Sequence, residues 1–275
     1  MTAPRTLRAV LAIIVVIASG CAAANATTGA PNAAVTPSST AAPTTTTTVA
    51  PTTTTAAPTT TTSQPDDDPY RTLIATARAS TPFLVALDEP NGVPVPLEFA
   101  VPNPHQFGGP LTLMVTEGEI GDDWLKVQLP MRPNGREGWI DTNDYIITDT
   151  TIRAEVDLSD TSVKVFDGPD LIAESQAAIG TARTPTPLGT FFIAAKRENP
   201  PEESFLGTHA VVLSGFSEAL ETFSGGLPVI AIHGTNNPDG ELGHSVSNGC
   251  VRVPNDVVQF LAQTVPIGAP VLVKN

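Results

Sequence analysis

A mainly β protein, carried on a long unstructured N-terminal stem, is the fold class this sequence predicts. Three observations lead there. Short apolar runs with a period of two recur between about residues 81 and 275, bounded by Gly, Pro, Asn and Asp. Helical spacing is confined to one short stretch after Pro254. Residues 22 to about 68 are almost entirely Ala, Thr, Pro and Ser, a composition that cannot bury enough apolar surface to offset the entropy of ordering the chain.

The elements follow in chain order. Arg5 and Arg8 precede an uncharged apolar run from about Ala9 to Ala18, the layout of a secretory signal. At roughly ten residues, the run is about half of what a membrane-crossing helix needs. Ile17-Ala18-Ser19-Gly20-Cys21 resembles a bacterial lipobox, which implies a diacylated Cys21 as the mature N-terminus; an ordinary cleavage site with an incidental cysteine is the plainer alternative. The stem, 22–69, has threonine runs at 44–48 and 52–55 and the composition of an O-glycosylated stalk. As a flexible coil it reaches about 40 Å, and roughly 140 Å if held extended. We expect a tether that lifts the rest of the chain off the membrane into the wall, with a linker of no required length as the alternative.

The formal net charge of −14 and pI near 4.5 exclude a nucleic-acid partner, since such binding depends on cationic contacts to phosphate. An acidic surface does not adhere to anionic headgroups either, so membrane association is expected through the lipid on Cys21.

A first folded unit is expected over 70–149. Its strand candidates are Phe83–Leu87, Leu111–Val115, Trp124–Leu129 and Gly138–Ile140. The pairing of "DDWLKVQLP" with "NGREGWI" resembles a bacterial Src-homology-like small β-barrel, with Trp124 and Trp139 on neighbouring strands and expected in the core. A second unit is expected over 150–275. Ile152–Leu158 and Ser162–Phe166 alternate around a turn at 159–161, a hairpin pattern. Further strands are expected at 171–173, 190–194, 210–213, 229–232 and 270–273, with one helix from Asn255, as its cap, to Ala262.

Chemistry concentrates in "AIHGTNNPDGELGHSVSNGCVRV", where His233 follows an apolar strand and Cys250 sits in a Ser-x-Gly-Cys turn. A thiol attacks an amide only as thiolate, and a neighbouring imidazole can take its proton. Cys250 is therefore the candidate nucleophile and His233 the candidate base. The main chain of Asn248 and Gly249 is the candidate oxyanion site, Gly249 permitting close approach. With Cys21 committed to lipid, Cys250 is expected as a free thiol.

The His-Gly pair, the Ser-x-Gly-Cys-x-Arg turn and "TPTPLGTF" at 184–191 together resemble the YkuD-type L,D-transpeptidases, over about 152–275. The resemblance implies a YkuD-like β-sandwich or barrel. It also implies that the main-chain carbonyl of Gly234 orients His233, that Arg252 braces the turn or binds a substrate carboxylate, and that peptidoglycan stem peptides are the substrate. The reaction implied is formation of 3→3 cross-links through a Cys thioester with release of D-alanine. Many members have His where this chain has Asn248, which puts the substrate contacts there in doubt. Ser247, His244 and His209 are further candidates for substrate binding, while His105, in a Pro-rich loop, is expected at the surface. A zinc site from His233, His244 and Cys250 lacks the paired spacing of such sites, so neither metal nor cofactor is expected. Water as acceptor would make the enzyme an L,D-carboxypeptidase, and a dead thiol would leave a non-catalytic wall-binding lipoprotein. The expected location is extracytoplasmic, lipid-anchored and reaching into the cell wall.

Overall fold

The computed structural model describes residues 68–275; the expected signal segment, Cys21 and the stalk up to residue 67 lie outside the described residues. Five strands, β1 (Thr72–Ala77), β2 (Thr112–Glu117), β3 (Trp124–Gln128), β4 (Glu137–Asp141) and β5 (Tyr145–Thr150), form an antiparallel sheet in the order β4-β3-β2-β1-β5. Leu125 and Val127 alternate into its core with Leu113, Leu111 and Ile140. Trp124 and Trp139, expected in that core, are instead half-buried. They fall on the opposite phase of the alternation, where Lys126 lies 5.6 Å from the Trp139 ring centre.

Residues 83–87, expected as a strand, make only single bridges, from Phe83 to Pro102 and from Leu87 to Pro94 and Trp139. The alternation is real, since Leu84 and Ala86 are buried while Phe83 and Val85 are half exposed. The facing segment, however, carries Pro94, Pro96, Pro102 and Pro104, and proline has no N–H to give a ladder. β1 and β5 lie outside the sequence-predicted strands.

The second half contains β6 (Ile152–Asp157), β7 (Ser162–Asp167), β8 (Asp170–Gln176), β9 (Ile179–Gly180), β10 (Gly189–Glu198), β11 (His209–Phe216) and β12 (Val229–Gly234). After these come α1 (Pro238–Glu241), β13 (Ser245–Ser247), β14 (Val251–Val253), α2 (Asn255–Thr264) and β15 (Pro270–Lys274). Eight of the strands make one sheet, ordered β14-β12-β11-β10-β15-β6-β7-β8, and β13 pairs with β9 apart from it. α2 packs Val258 and Leu261 into the core below this sheet. Its last turn is closed by Lys196, whose Nζ donates to the carbonyls of Ala262 (2.8 Å) and Val265 (2.7 Å), a cation where the helix dipole is negative.

β10 joins the halves. Its side chains alternate between two cores: Phe191 and Ile193 belong to the larger sheet's core, Phe192 and Ala194 to that of the five-stranded sheet. Period two makes this obligatory for a strand covered on both faces. Gln128 adds a polar link, donating to the carbonyl of Thr190 (2.6 Å) and accepting from Ser214 (3.1 Å).

Candidate active site

The site is built on the parallel pairing of β12 with β14, in which Ile232 faces Val251, His233 faces Arg252 and Gly234 faces Val253. Extending that register puts Ala231 opposite Cys250. Residues two apart share a face, so Cys250, Arg252 and His233 lie on one face. The alternate residues Ile230, Ile232, Val251 and Val253 are buried in the core. The apolar half of the motif thus anchors the polar half.

His233 is buried, 3% exposed, and its Nδ1 lies 2.7 Å from the carbonyl oxygen of Gly234. Burial pushes its pKa below the ordinary histidine range and the Arg252 guanidinium adds to this, while the carbonyls of Gly234 and Leu206 and the carboxylate of Glu241 act the other way. Cys250 is a half-buried free cysteine whose Sγ–H donates to the carbonyl of Val229 at 4.0 Å. Desolvation pushes this thiol up, against the Ala231 N–H and the Arg252 charge, which favour the thiolate. Cys250 lines a small pocket of almost wholly apolar lining, together with Leu220, Phe223, Pro228, Ile230, Ser217 and Asn248.

The turn before Cys250 is self-supporting. Ser247, expected at the substrate, is 2% exposed, and its hydroxyl accepts from the Gly249 N–H (3.1 Å) and donates to the Cys250 carbonyl. The Gly249 N–H, expected to face an oxyanion, is therefore occupied. Gly249 has φ +115°, a left-handed conformation, and a Cβ there would come 3.0 Å from Ile230 Cδ1. Asn248 is exposed beside it.

Segment 177–186 laces this turn from outside. Ala178 and Arg252 exchange both main-chain bonds, and Ile179 N–H reaches the His244 carbonyl. The Ser247 carbonyl accepts from Thr181 N–H (3.1 Å) and the Thr184 hydroxyl (3.2 Å). Thr184 opens the "TPTPLGTF" stretch, so one thing that stretch does here is hold the turn that carries Cys250.

Arg252 is already paired. Its Nη1 donates to Glu241 Oε1 at 2.6 Å, and Glu241 also accepts from the hydroxyl of buried Thr235. The guanidinium is thus held by Glu241 of α1 rather than set against the turn at 247–250, and its buried Nε has no hydrogen-bond partner among the described residues. Glu241 and Thr235 were not singled out by sequence; an acidic residue inside the His-to-Cys loop of a motif that also holds Arg is the signal that could have found them. His209 opens β11, half-buried, with Nδ1 3.0 Å from the Thr208 hydroxyl. His244 is exposed, between α1 and β13. His105, expected at the surface, is buried at 9% exposed, beneath Phe107, whose N–H it accepts.

Asn255, expected to cap α2, is instead the helix's first residue and makes no capping bond. Its Oδ1 accepts from Thr208 N–H (2.9 Å), and its Nδ2 donates to the Thr235 carbonyl and to Asn236 Oδ1, both at 3.1 Å. It thereby fastens the chain at 207–208 to the chain just after His233. Gly207 and Gly234 permit this, for a Cβ on either would come within 2.2 Å of that Asn255 oxygen.

Residues 151–273 match the family described as YkuD: L,D-transpeptidase catalytic domain. A Bacillus licheniformis protein carrying the name L,D-transpeptidase YkuD is 32% identical over 119 residues, covering 43% of this chain and 63% of the relative. Bacillus subtilis YqjB, under the same L,D-transpeptidase description, is 35% identical over 112 residues, 36% and 59% of the two chains. The chain thus spans about three-fifths of the curated relatives it matches. Among solved structures, an L,D-transpeptidase from Mycobacterium smegmatis aligns over 60% of this chain and 90% of its own at 16% identity and TM-score 0.38. One from Enterococcus faecium aligns over 44% and 49% at 22% identity and TM-score 0.35. The segment carrying His233 and Cys250 therefore matches the L,D-transpeptidase catalytic domain of the YkuD type.

Proposed function

We propose that the protein is a peptidoglycan L,D-transpeptidase that forms 3→3 cross-links through a thioester on Cys250. The observation that carries this reading is the placement of His233 on β12 and of Cys250 directly before β14, the parallel neighbour of β12, the imidazole fixed by the Gly234 carbonyl and Cys250 lining a pocket.

The Cys250 sulfur attacks the carbonyl of the third stem residue while its proton passes to His233. The bond to the terminal D-alanine breaks, and the departing amine takes the proton from His233. An amine of a second stem then attacks the thioester, giving its proton back through His233 as the sulfur leaves. No ATP is required, since one amide replaces another. With Gly249 N–H occupied by Ser247, the Cys250 N–H is the donor we assign to the oxyanion, worth about 3–4 kcal/mol. Asn248, exposed at the pocket rim, is assigned to substrate contact.

The same nucleophile would open a strained lactam. Solved L,D-transpeptidases are described in complex with imipenem and acylated by ertapenem, and we expect a carbapenem to add its mass to Cys250. An unmodified thiol after prolonged exposure would count against the assignment. We also propose that the chain is exported, lipidated at Cys21 and held at the membrane by that lipid with its stalk reaching into the wall; metabolic labelling with a fatty acid, lost in Cys21→Ala, tests this.

For the reaction, the full chain is incubated with a disaccharide-tetrapeptide while intact mass and free D-alanine are followed, beside Cys250→Ala. A thioester adduct and D-alanine release that vanish in the variant support the proposal. Release without cross-linked dimer points to the carboxypeptidase. Neither signal from folded protein overturns it in favour of a wall-binding module.

A further inference from the structure

The pocket beside Cys250 has one wall that the catalytic half does not secure alone. Ser217, Leu220, Phe223 and Pro228 belong to the connection between β11 and β12. Its base is closed by Ser217 N–H on the Pro228 carbonyl (2.8 Å), and its tip by reciprocal bonds between Phe223 and Gly226 (2.9 and 3.0 Å). Ser224 and Gly225 are both left-handed at the tip, as a two-residue hairpin turn of the primed kind requires.

Just before the base, and again between base and tip, the grip comes from the five-stranded half. Asn134 accepts from the Phe216 N–H (2.9 Å) and donates to the Phe216 carbonyl (2.8 Å), satisfying both main-chain groups of one residue as a neighbouring strand would. The same Nδ2 reaches Glu218 Oε1 at 3.3 Å. Arg132, ion-paired with Glu98, donates from Nη1 to the Glu221 carbonyl at 3.4 Å. The Phe99 ring meets Phe216 edge-on, centres 5.9 Å apart. Phe216 directly precedes the wall, and Glu218 and Glu221 flank Leu220, which lines the pocket.

We propose that Asn134, with Arg132 beside it, is a positioning residue that holds this wall and so sets the space beside the Cys250 sulfur. The small five-stranded half then has a part in the reaction without touching the substrate. The inference rests on Cys250 being the reacting group, but not on which substrate it meets.

The test is the rate of Cys250 alkylation by iodoacetamide in the full chain, read at that cysteine by peptide mass, for wild type, Asn134→Ala, Arg132→Ala and Gln128→Ala. Gln128 links the same two halves through Thr190 and Ser214 and does not line the pocket, so it controls for general loosening. Freeing the wall admits the reagent. We expect Asn134→Ala to react about tenfold faster and Arg132→Ala about threefold faster, with Gln128→Ala within about twofold of wild type. An Asn134→Ala rate within about twofold of wild type, or an equal rise in Gln128→Ala, overturns the proposal. Should Asn134→Ala lose its near-ultraviolet dichroism, Arg132→Ala decides alone by the same comparison with Gln128→Ala. With a stem-peptide donor, the tethering variants raise KM more than they lower kcat. The expected alkylation pattern without D-alanine release would remove the proposed reaction and leave the tether standing.

Discussion

Replacing Asn255 by Ala removes a junction rather than a helix cap, and the two roles predict different numbers. The Thr235 carbonyl that Asn255 serves lies in a residue 4% exposed, and orphaning a buried acceptor costs about 1–3 kcal/mol. Thr208 is exposed, so water replaces its lost partner at about 0.5 kcal/mol. Together with the void left against Gly207 and Gly234, the loss is about 2–3 kcal/mol, a fall in Tm of about 5–10 °C for a unit of this size. A capping role would cost about 1 kcal/mol. Asn255→Asp separates them further, because Asp caps as well as Asn. At the junction it keeps the acceptor for Thr208 but turns a carboxylate oxygen toward the Thr235 carbonyl and Asn236. The assay is urea unfolding of the full chain followed by circular dichroism. A loss below about 1 kcal/mol in Asn255→Ala, or full stability in Asn255→Asp, would refute the reasoning.

Three more outcomes are expected. Gly249→Ala forces a Cβ into a left-handed residue at 3.0 Å from Ile230, destabilising by about 1–3 kcal/mol and displacing the sulfur, which alkylation kinetics would register. Arg252→Ala leaves the Glu241 carboxylate beside Thr235 without its cation; both side chains keep some solvent contact, so the loss is about 1–2 kcal/mol, and a double-mutant cycle with Glu241→Gln should show strong coupling. Burial depresses the pKa of both His233 and His105, so their contribution to stability is complete above the ordinary value of 6.5 and is lost as pH falls through the depressed values. The urea midpoint should hold from neutral pH down to about 6.5 and decline below it, less steeply in His105→Gln.

Legibility in the sequence followed the range of the interaction. The hairpin of β6 and β7 and the strand β3 were readable because one face is buried and the other is not, so the pattern lies in consecutive residues. The His-Gly and Ser-x-Gly-Cys segments were readable because the turn is closed within itself, Ser247 bonding Gly249 and Cys250. What stayed hidden depends on partners far along the chain. "GTFFIAAKRE" shows a continuous apolar run because β10 is covered on both faces, and nothing local says that Phe192 serves a different core from Phe191. Asn134 was not singled out and Asn255 was read as a cap; each is recruited by main-chain groups that only the tertiary fold brings near. His105 was misread for the same reason, since a Pro-rich loop looks solvated until Phe107 folds back against the ring.

The electrostatics of the resting pair suit the proposed reaction because of what they disfavour. Burial raises the thiol and lowers the imidazole, so a thiolate facing an imidazolium is unfavourable while the pocket is empty. The charge has to appear during attack, as oxyanion and imidazolium together. The Gly234 carbonyl already stands 2.7 Å from the ring nitrogen Nδ1, and it and the Leu206 carbonyl both favour the protonated form. They do less for the neutral ring at rest than for the imidazolium of the transition state, which is the difference that accelerates a reaction. Leu206 is part of the segment that Asn199 fastens, donating to the carbonyls of Leu206 (3.0 Å) and Gly207 (3.2 Å), and that Asn255 fastens at Thr208. Loosening that segment therefore weakens the stabilisation of the imidazolium specifically, and on the proposed reaction Asn255→Ala should lower kcat while leaving KM for the donor nearly unchanged. That is the opposite split from Asn134→Ala, whose wall stands beside the sulfur and not beside the ring; equal effects of the two variants on both constants would show that neither segment has a separate part in the chemistry.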